Sequence, residues 1–247
     1  MRPRIPSCGQ SGFTLIEMAV VLVILGLLLG GLLMPLSQSL ENTKRSDAKA
    51  QLAEVEDALY GFAQANGRLP CPATPASGGR EAPLGGGVCT RQHGFVPSAT
   101  LGLTGAVNAD GLLLDAWGNP LRYSVTTANA GAFTFTTAGA MRSAGLAALA
   151  PDLQICGDAP CAAQVATTIP AVVVSMGRNW ATFTAADEVA NAGEAVIGGG
   201  PSGASYRIAN NLNFVSRDYS EVNYDDIITW LSPNILYTRM IAAGQLP

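Results

Sequence analysis

Apolar residues run almost unbroken from Phe13 to Met34. Residues 18–34 carry no polar side chain, and Glu17 is the one charge inside the run. A helix rises about 1.5 Å per residue, so this segment reaches roughly 33 Å, against about 30 Å for a bilayer core. The pattern predicts a membrane-spanning helix over 13–36. Within it, Gly26 and Gly30 have the Gly-x-x-x-Gly spacing that lets two helix backbones approach in lipid. Gly31 adds a further permissive position. Pro35 lacks the amide a helix needs, which predicts a kink or break there.

The pattern then changes. Residues 37–66 are dense in charge, from Glu41 and Lys44 to Glu56 and Asp57. Leu52, Val55, Leu59 and Phe62 recur at helical spacing. One apolar stripe on a charged helix predicts cover by a globular head. Gly67 and Pro70 mark the helix end. Residues 67–105 are rich in Gly and Pro and read as loop. Strands are predicted at Leu112–Leu114, Leu121–Thr126, Phe133–Thr137, Ile169–Ser175 and Asn213–Asp218, with a turn at Asp115–Pro120. From Tyr224 to Gly244, early acids, Arg239 and the Ser232-Pro233 pair predict two short helices, with Gly244 as a stop. The expected fold is α+β: a long N-terminal helix, membrane-spanning in its first half, on an antiparallel head with long loops and short C-terminal helices. The expected parts are a leader at 1–12, the span at 13–36, a helical continuation at 37–66 and a head at 67–247.

Composition narrows the chemistry. The 247 residues carry a net charge of −4, and only 13% are charged. Without Arg2 and Arg4 of the leader the side-chain charge becomes −6. An acidic chain with two lysines is a poor binder of phosphate backbones, so no nucleic-acid partner is expected. Of five cysteines, Cys8 falls in the leader. The remaining Cys71, Cys89, Cys156 and Cys161 form an even set suited to an oxidising compartment. Three pairings are possible, and proximity favours Cys71–Cys89 and Cys156–Cys161. The absence of Cys-x-x-Cys, with His93 the lone histidine, argues against a zinc site. No nucleophile–base pair assembles an active site. Ser46 and Lys49 have Ser-x-x-Lys spacing without its companion motifs, and Gly85-Gly86-Gly87 lacks the Lys of a phosphate loop. No enzyme activity and no catalytic residue is expected.

The charge at Glu17 needs a reason, because an ionised side chain deep in lipid costs about 2.5–3.5 kcal/mol or more. No positive charge follows within the next 23 residues, so a local cationic partner is not expected. Gly12-Phe13-Thr14-Leu15-Ile16-Glu17, after a short basic leader and before an apolar run, resembles the N-terminal motif of type IV pilins and type II secretion pseudopilins. The resemblance implies cleavage between Gly12 and Phe13 by prepilin peptidase and N-methylation of Phe13. It also implies assembly in which Glu17 meets the freed Phe13 amine of another subunit. A second point of similarity, to the sheet region of major pseudopilins, lies in Asp115, Trp117, Gly118, Pro120 and Tyr123. Some of those proteins bind calcium nearby. Asn108, Asp110, Asp115 and Asn119 offer hard oxygen donors, without EF-hand spacing and with turn capping as the ordinary account.

The resulting expectation is a structural subunit, a minor pilin or pseudopilin of a type IV pilus or type II secretion-type filament. It would sit in the inner membrane by one span, with its head in the periplasm, and would have other pilin subunits and prepilin peptidase as partners. Three other readings compete. One is a secretory signal peptide cut near Ser37-Gln38-Ser39, against which the apolar run is long. Another is a plain single-span anchor. The third is a membrane-anchored periplasmic binding or adhesin module.

Overall fold

The computed structural model describes residues 12–128, 133–182, 184–220 and 223–247, leaving aside the side chains of 29–37. The chain divides into two compact units, Met1–Arg45 and Ser46–Pro247. The leader through residue 11 lies outside the described residues.

Helix α1 runs from Leu15 to Asn66 as one element. Pro35 therefore does not break it. Among the described residues no helix is long and apolar enough to cross a membrane. The segment expected to do so, 13–36, includes 29–36, whose side chains are outside the described set. In the first unit, residues 12–28 are exposed all round.

In the second unit, α1 buries Ala48, Leu52, Val55, Leu59, Tyr60 and Ala63 and leaves Phe62 at the margin. Those positions follow the helical period, so the expected stripe is present, one turn longer and shifted towards Tyr60. The helix ends where Gly67 enters the left-handed region at φ 67, its amide bonded to the Ala63 carbonyl.

The stripe packs on a four-stranded antiparallel sheet in the order β1 (His93–Phe95), β2 (Arg122–Val125), β5 (Ala171–Ser175), β9 (Ile227–Trp230). Tyr123, Val125, Ala171 and Val173 face one core with Leu52, Val55 and Leu59. Val172 and Val174 face another with Leu153, Ile155 and Phe214. That second core belongs to a smaller sheet, β4 (Gln164–Ile169), β3 (Leu153–Cys156), β8 (Asn213–Val215), in which β3 and β8 run parallel. A sheet covered on both faces explains why β5 reads as an unbroken apolar run rather than an alternation. A two-stranded ribbon, β6 (Ala195–Ile197) and β7 (Tyr206–Ile208), closes a third cluster with Phe95 and Leu112. Helices α2 (Ser98–Leu101), α3 (Ala140–Ala144) and α4 (Ala186–Ala192) sit in the connections, and α5 (Pro233–Ala242) ends the chain.

Several local expectations are corrected. Phe133–Thr137 is a turn, not a strand. Phe133 has φ 47, Thr136 bonds back to its carbonyl, and the Thr136 hydroxyl donates to the Gly87 carbonyl at 2.7 Å. The alternation there reflects Phe135 in the core beside two buried threonines. Leu112–Leu114 makes only the isolated bridges Val107–Leu113 and Leu114–Pro120. Of the two C-terminal helices only α5 forms. Ile227–Trp230 is a strand, because two isoleucines, a threonine and a tryptophan pair with Val172–Ser175. Ser232 precedes α5 as expected, but its side chain makes no cap bond; its amide donates to the Tyr60 hydroxyl at 2.8 Å.

Candidate functional site

The start of α1 is where the sequence places the chemistry. Phe13 and Leu15 are exposed, as are Ile16 and Glu17. The Thr14 amide and hydroxyl both donate to Glu17 Oε2 at 2.8 Å, and the Glu17 amide donates back to the Thr14 hydroxyl at 3.3 Å. This is a reciprocal capping box: Thr-x-x-Glu at the first turn satisfies orphan amides and sets a negative charge at the positive end of the helix dipole. Glu17 therefore has a local partner, a pair of Thr14 donors rather than a cation. The Thr-Leu-Ile-Glu spacing carried that signal in the sequence, and the charge-only reading missed it.

Around Gly12 and Gly26 a methyl group would meet nothing within 4 Å, so both present open backbone surface. Gly30, Gly31 and Pro35 fall among the residues whose side-chain surroundings are outside the described set. The two disulfides are Cys71–Cys89 and Cys156–Cys161, the pairing that proximity favoured. The first staples the loop after α1 around a buried ion pair. The Arg68 guanidinium meets Glu81 through two bonds of 2.7 and 2.8 Å, and the Cys71 and Gly85 amides also donate to that carboxylate.

Asp110 and Asp115, two of the hard oxygen donors near the turn, sit in different networks. Asp110 accepts from the Ser202 amide and hydroxyl and from the Tyr206 hydroxyl, which hold its carboxyl below the usual range. Asp115 caps its own turn through the Trp117 and Asn119 amides and accepts from Ser175 at 2.7 Å. Burial pushes its carboxyl up against those bonds. Asn108 caps the amides of Asp110 and Leu112, the ordinary turn role.

A third group of acids was not foreseen. Glu188 of α4 converges with Asp225 and Asp226, the residues just before β9, and the three offer oxygens within 4.8 Å of one another, all buried. The sequence pattern casts Asp225 and Asp226 as acids at a helix start. Their true neighbours come from 37 residues upstream, and no local spacing marks that approach.

Residues 8–33 match the prokaryotic N-terminal methylation motif, the signature of type IV pilins and pseudopilins. The match is confined to this N-terminal segment, which is similar to the processed and methylated start of such chains. No curated protein and no solved structure matches the chain.

Proposed function

We propose that this chain is a structural subunit of a pilus-like filament, a minor pilin or pseudopilin. It is inserted in the inner membrane through residues 13–36, trimmed after Gly12 and methylated on Phe13. The observation that carries the reading is the methylation motif over residues 8–33, coincident with an exposed apolar helix start whose one charge is Glu17. An acid at the first turn is well placed to receive a terminal amine from a neighbouring copy, because a charge in oil is tolerable when an opposite charge meets it. The head, with its long loops and two disulfides, would lie in the periplasm, where such bridges persist.

The test is co-expression with prepilin peptidase. Intact mass should fall by residues 1–12 and rise by one methyl group, and Gly12→Val should leave the mass unchanged. An unaltered mass with the peptidase present would favour the membrane-anchored binding module instead. A soluble product beginning near residue 40 would favour an ordinary signal peptide.

A further inference from the structure

We propose that the Cys156–Cys161 bridge is a redox modification site, opened reversibly by an external dithiol while Cys71–Cys89 stays closed. The site lies in the head and stands independently of the filament reading. Three observations carry it. First, the two bridges differ in access. Cys71 and Cys89 are 0% and 6% exposed, in the core that α1 packs on, with the Gly87 carbonyl oxygen 3.9 Å from both sulfurs. Cys156 is as deeply buried at the end of β3, but Cys161 is half-buried and flanked by exposed Pro160, Ala162 and Ala163. Exchange begins when a thiolate attacks one sulfur of a bridge and the other leaves, so access to one sulfur is enough. With Cys156 on the inner side, attack falls on Cys161.

Second, the bridge ends on a strained residue. Cys161 has φ 56, in the left-handed region that a residue with a Cβ enters at a cost. Opening the bridge lets that backbone relax, which favours reduction by about 5–30-fold. Neither Cys71 nor Cys89 has a positive φ. Strained or exposed bridges are the ones that exchange, whereas buried and relaxed ones resist.

Third, the bridge closes a loop whose contacts reach beyond it. Residues 157–161 join β3 to β4, and the Cys161 and Ala162 amides donate to the Asp158 carbonyl and Oδ1 at 2.9 and 2.8 Å. The Ala159 amide donates to Asp187 Oδ1 at 2.8 Å, and Asp187 Oδ2 pairs with Arg217. Asp187 lies in the first turn of α4, and Arg217 follows β8. The bridge thus clasps the β3–β4 turn to α4 and to the chain leaving β8.

A thiolate of the dithiol bonds to Cys161 Sγ, the Cys156–Cys161 bond breaks, and Cys156 leaves with the electron pair and takes a proton. The reagent's second thiol, deprotonated, attacks the reagent sulfur of the mixed disulfide. Cys161 departs as a thiolate and is protonated. The bridge gains two electrons and two protons, and the dithiol is oxidised to its own disulfide.

The experiment uses the full-length protein in detergent, with Cys8→Ser to remove the leader thiol and both bridges formed. Dithiothreitol is added under native conditions, and thiols are trapped with iodoacetamide and located by peptide mass mapping. Cys156 and Cys161 should be alkylated at least about tenfold faster than Cys71 and Cys89, and oxidised dithiothreitol should close the bridge again. Hydrogen exchange of the selectively reduced protein should quicken at the Ala159, Cys161 and Ala162 amides and stay unchanged at Val172–Val174 of β5. Treated with glutathione disulfide, Cys156→Ser should take up glutathione at Cys161, and Cys161→Ser should take up none at Cys156. Opening of both bridges together, or of Cys71–Cys89 first, overturns the proposal without recourse to those variants. So does unchanged exchange in the loop once Cys156–Cys161 is open, or glutathione uptake at Cys156 in place of Cys161.

Discussion

Replacing Glu81 by Gln should unsettle the head more than most single changes. The Arg68–Glu81 pair is 2.7 Å apart, with side chains 7% and 5% exposed. Glu81 gathers two guanidinium bonds and two backbone amides, and Arg68 also packs over the Phe62 ring at 5.0 Å from its centroid. Removing one partner of a buried pair strands the other charge, at a cost of about 3–5 kcal/mol. For a chain of this size that lowers the melting temperature by roughly 6–20 °C. The pH dependence supplies a second reading. Burial pushes the Glu81 carboxyl up, but Arg68 and the Cys71 and Gly85 amides outweigh it, so its folded pKa lies below 4.5. A lowered folded pKa gives stability that is present above the unfolded value and lost as pH falls through the folded one. Thermal melts of the full-length protein and of Glu81→Gln should therefore differ widely near neutral pH and converge in acid. A double-mutant cycle with Arg68→Met isolates the pair, and the double variant should recover part of the loss. A loss under about 1 kcal/mol at neutral pH would show that the pair is solvated and the reasoning wrong.

Two further expectations follow from burial. His93 is pushed down to about 4 from 6.5 by burial, with Asp152 pulling weakly the other way. Its neutral form is the folded one, so stability is full above 6.5 and falls as pH drops towards 4, by about 3 kcal/mol in all. Urea melts of His93→Gln should lack that limb of the pH profile, and an unchanged limb would assign it elsewhere. Leu59→Ala, at a fully buried position of α1, should cost about 2–5 kcal/mol in the same assay, while Ile241→Ala at an exposed position of α5 should change little.

The legible parts of this fold are those in which local pattern and tertiary context agree. The α1 stripe, the buried β5 run and the disulfide pairing were readable because periodicity, β-branching and short cysteine spacing act within a few residues. Phe133–Thr137 misled because alternating burial is shared by a strand and by a turn that drops Phe135 into the core. Ile227–Trp230 misled because acids and a distant arginine suggest helix, whereas pairing with β5 decides strand. The acid cluster was invisible for the same reason: its members meet only after β9 docks and α4 folds across the second sheet. At the start of α1 the motif is readable in full, but its local role at Thr14 is not separable in the sequence from the role between chains that the resemblance implies.

The observed cap and the proposed intersubunit role of Glu17 predict opposite outcomes for two substitutions. Thr14→Ala removes the hydroxyl that donates to Oε2 and accepts from the Glu17 amide, yet leaves the carboxylate charged and the Thr14-position amide still available to it. Glu17→Gln keeps an oxygen able to accept that amide, so the cap survives in part, but removes the charge. If Glu17 serves the filament by meeting the amine of another copy, Thr14→Ala subunits should enter the polymer at close to normal yield. Glu17→Gln subunits should be trimmed normally and then fail to be incorporated. If instead the carboxylate serves only to start the helix, Thr14→Ala should be the more damaging change, because it loses both hydroxyl bonds. Mass spectrometry of the trimmed product and quantification of sheared filaments measure the two steps separately. Normal incorporation of Glu17→Gln would remove the electrostatic basis for assembly, whatever Thr14→Ala does, because that variant alone takes away the charge while keeping an oxygen for the Thr14 amide.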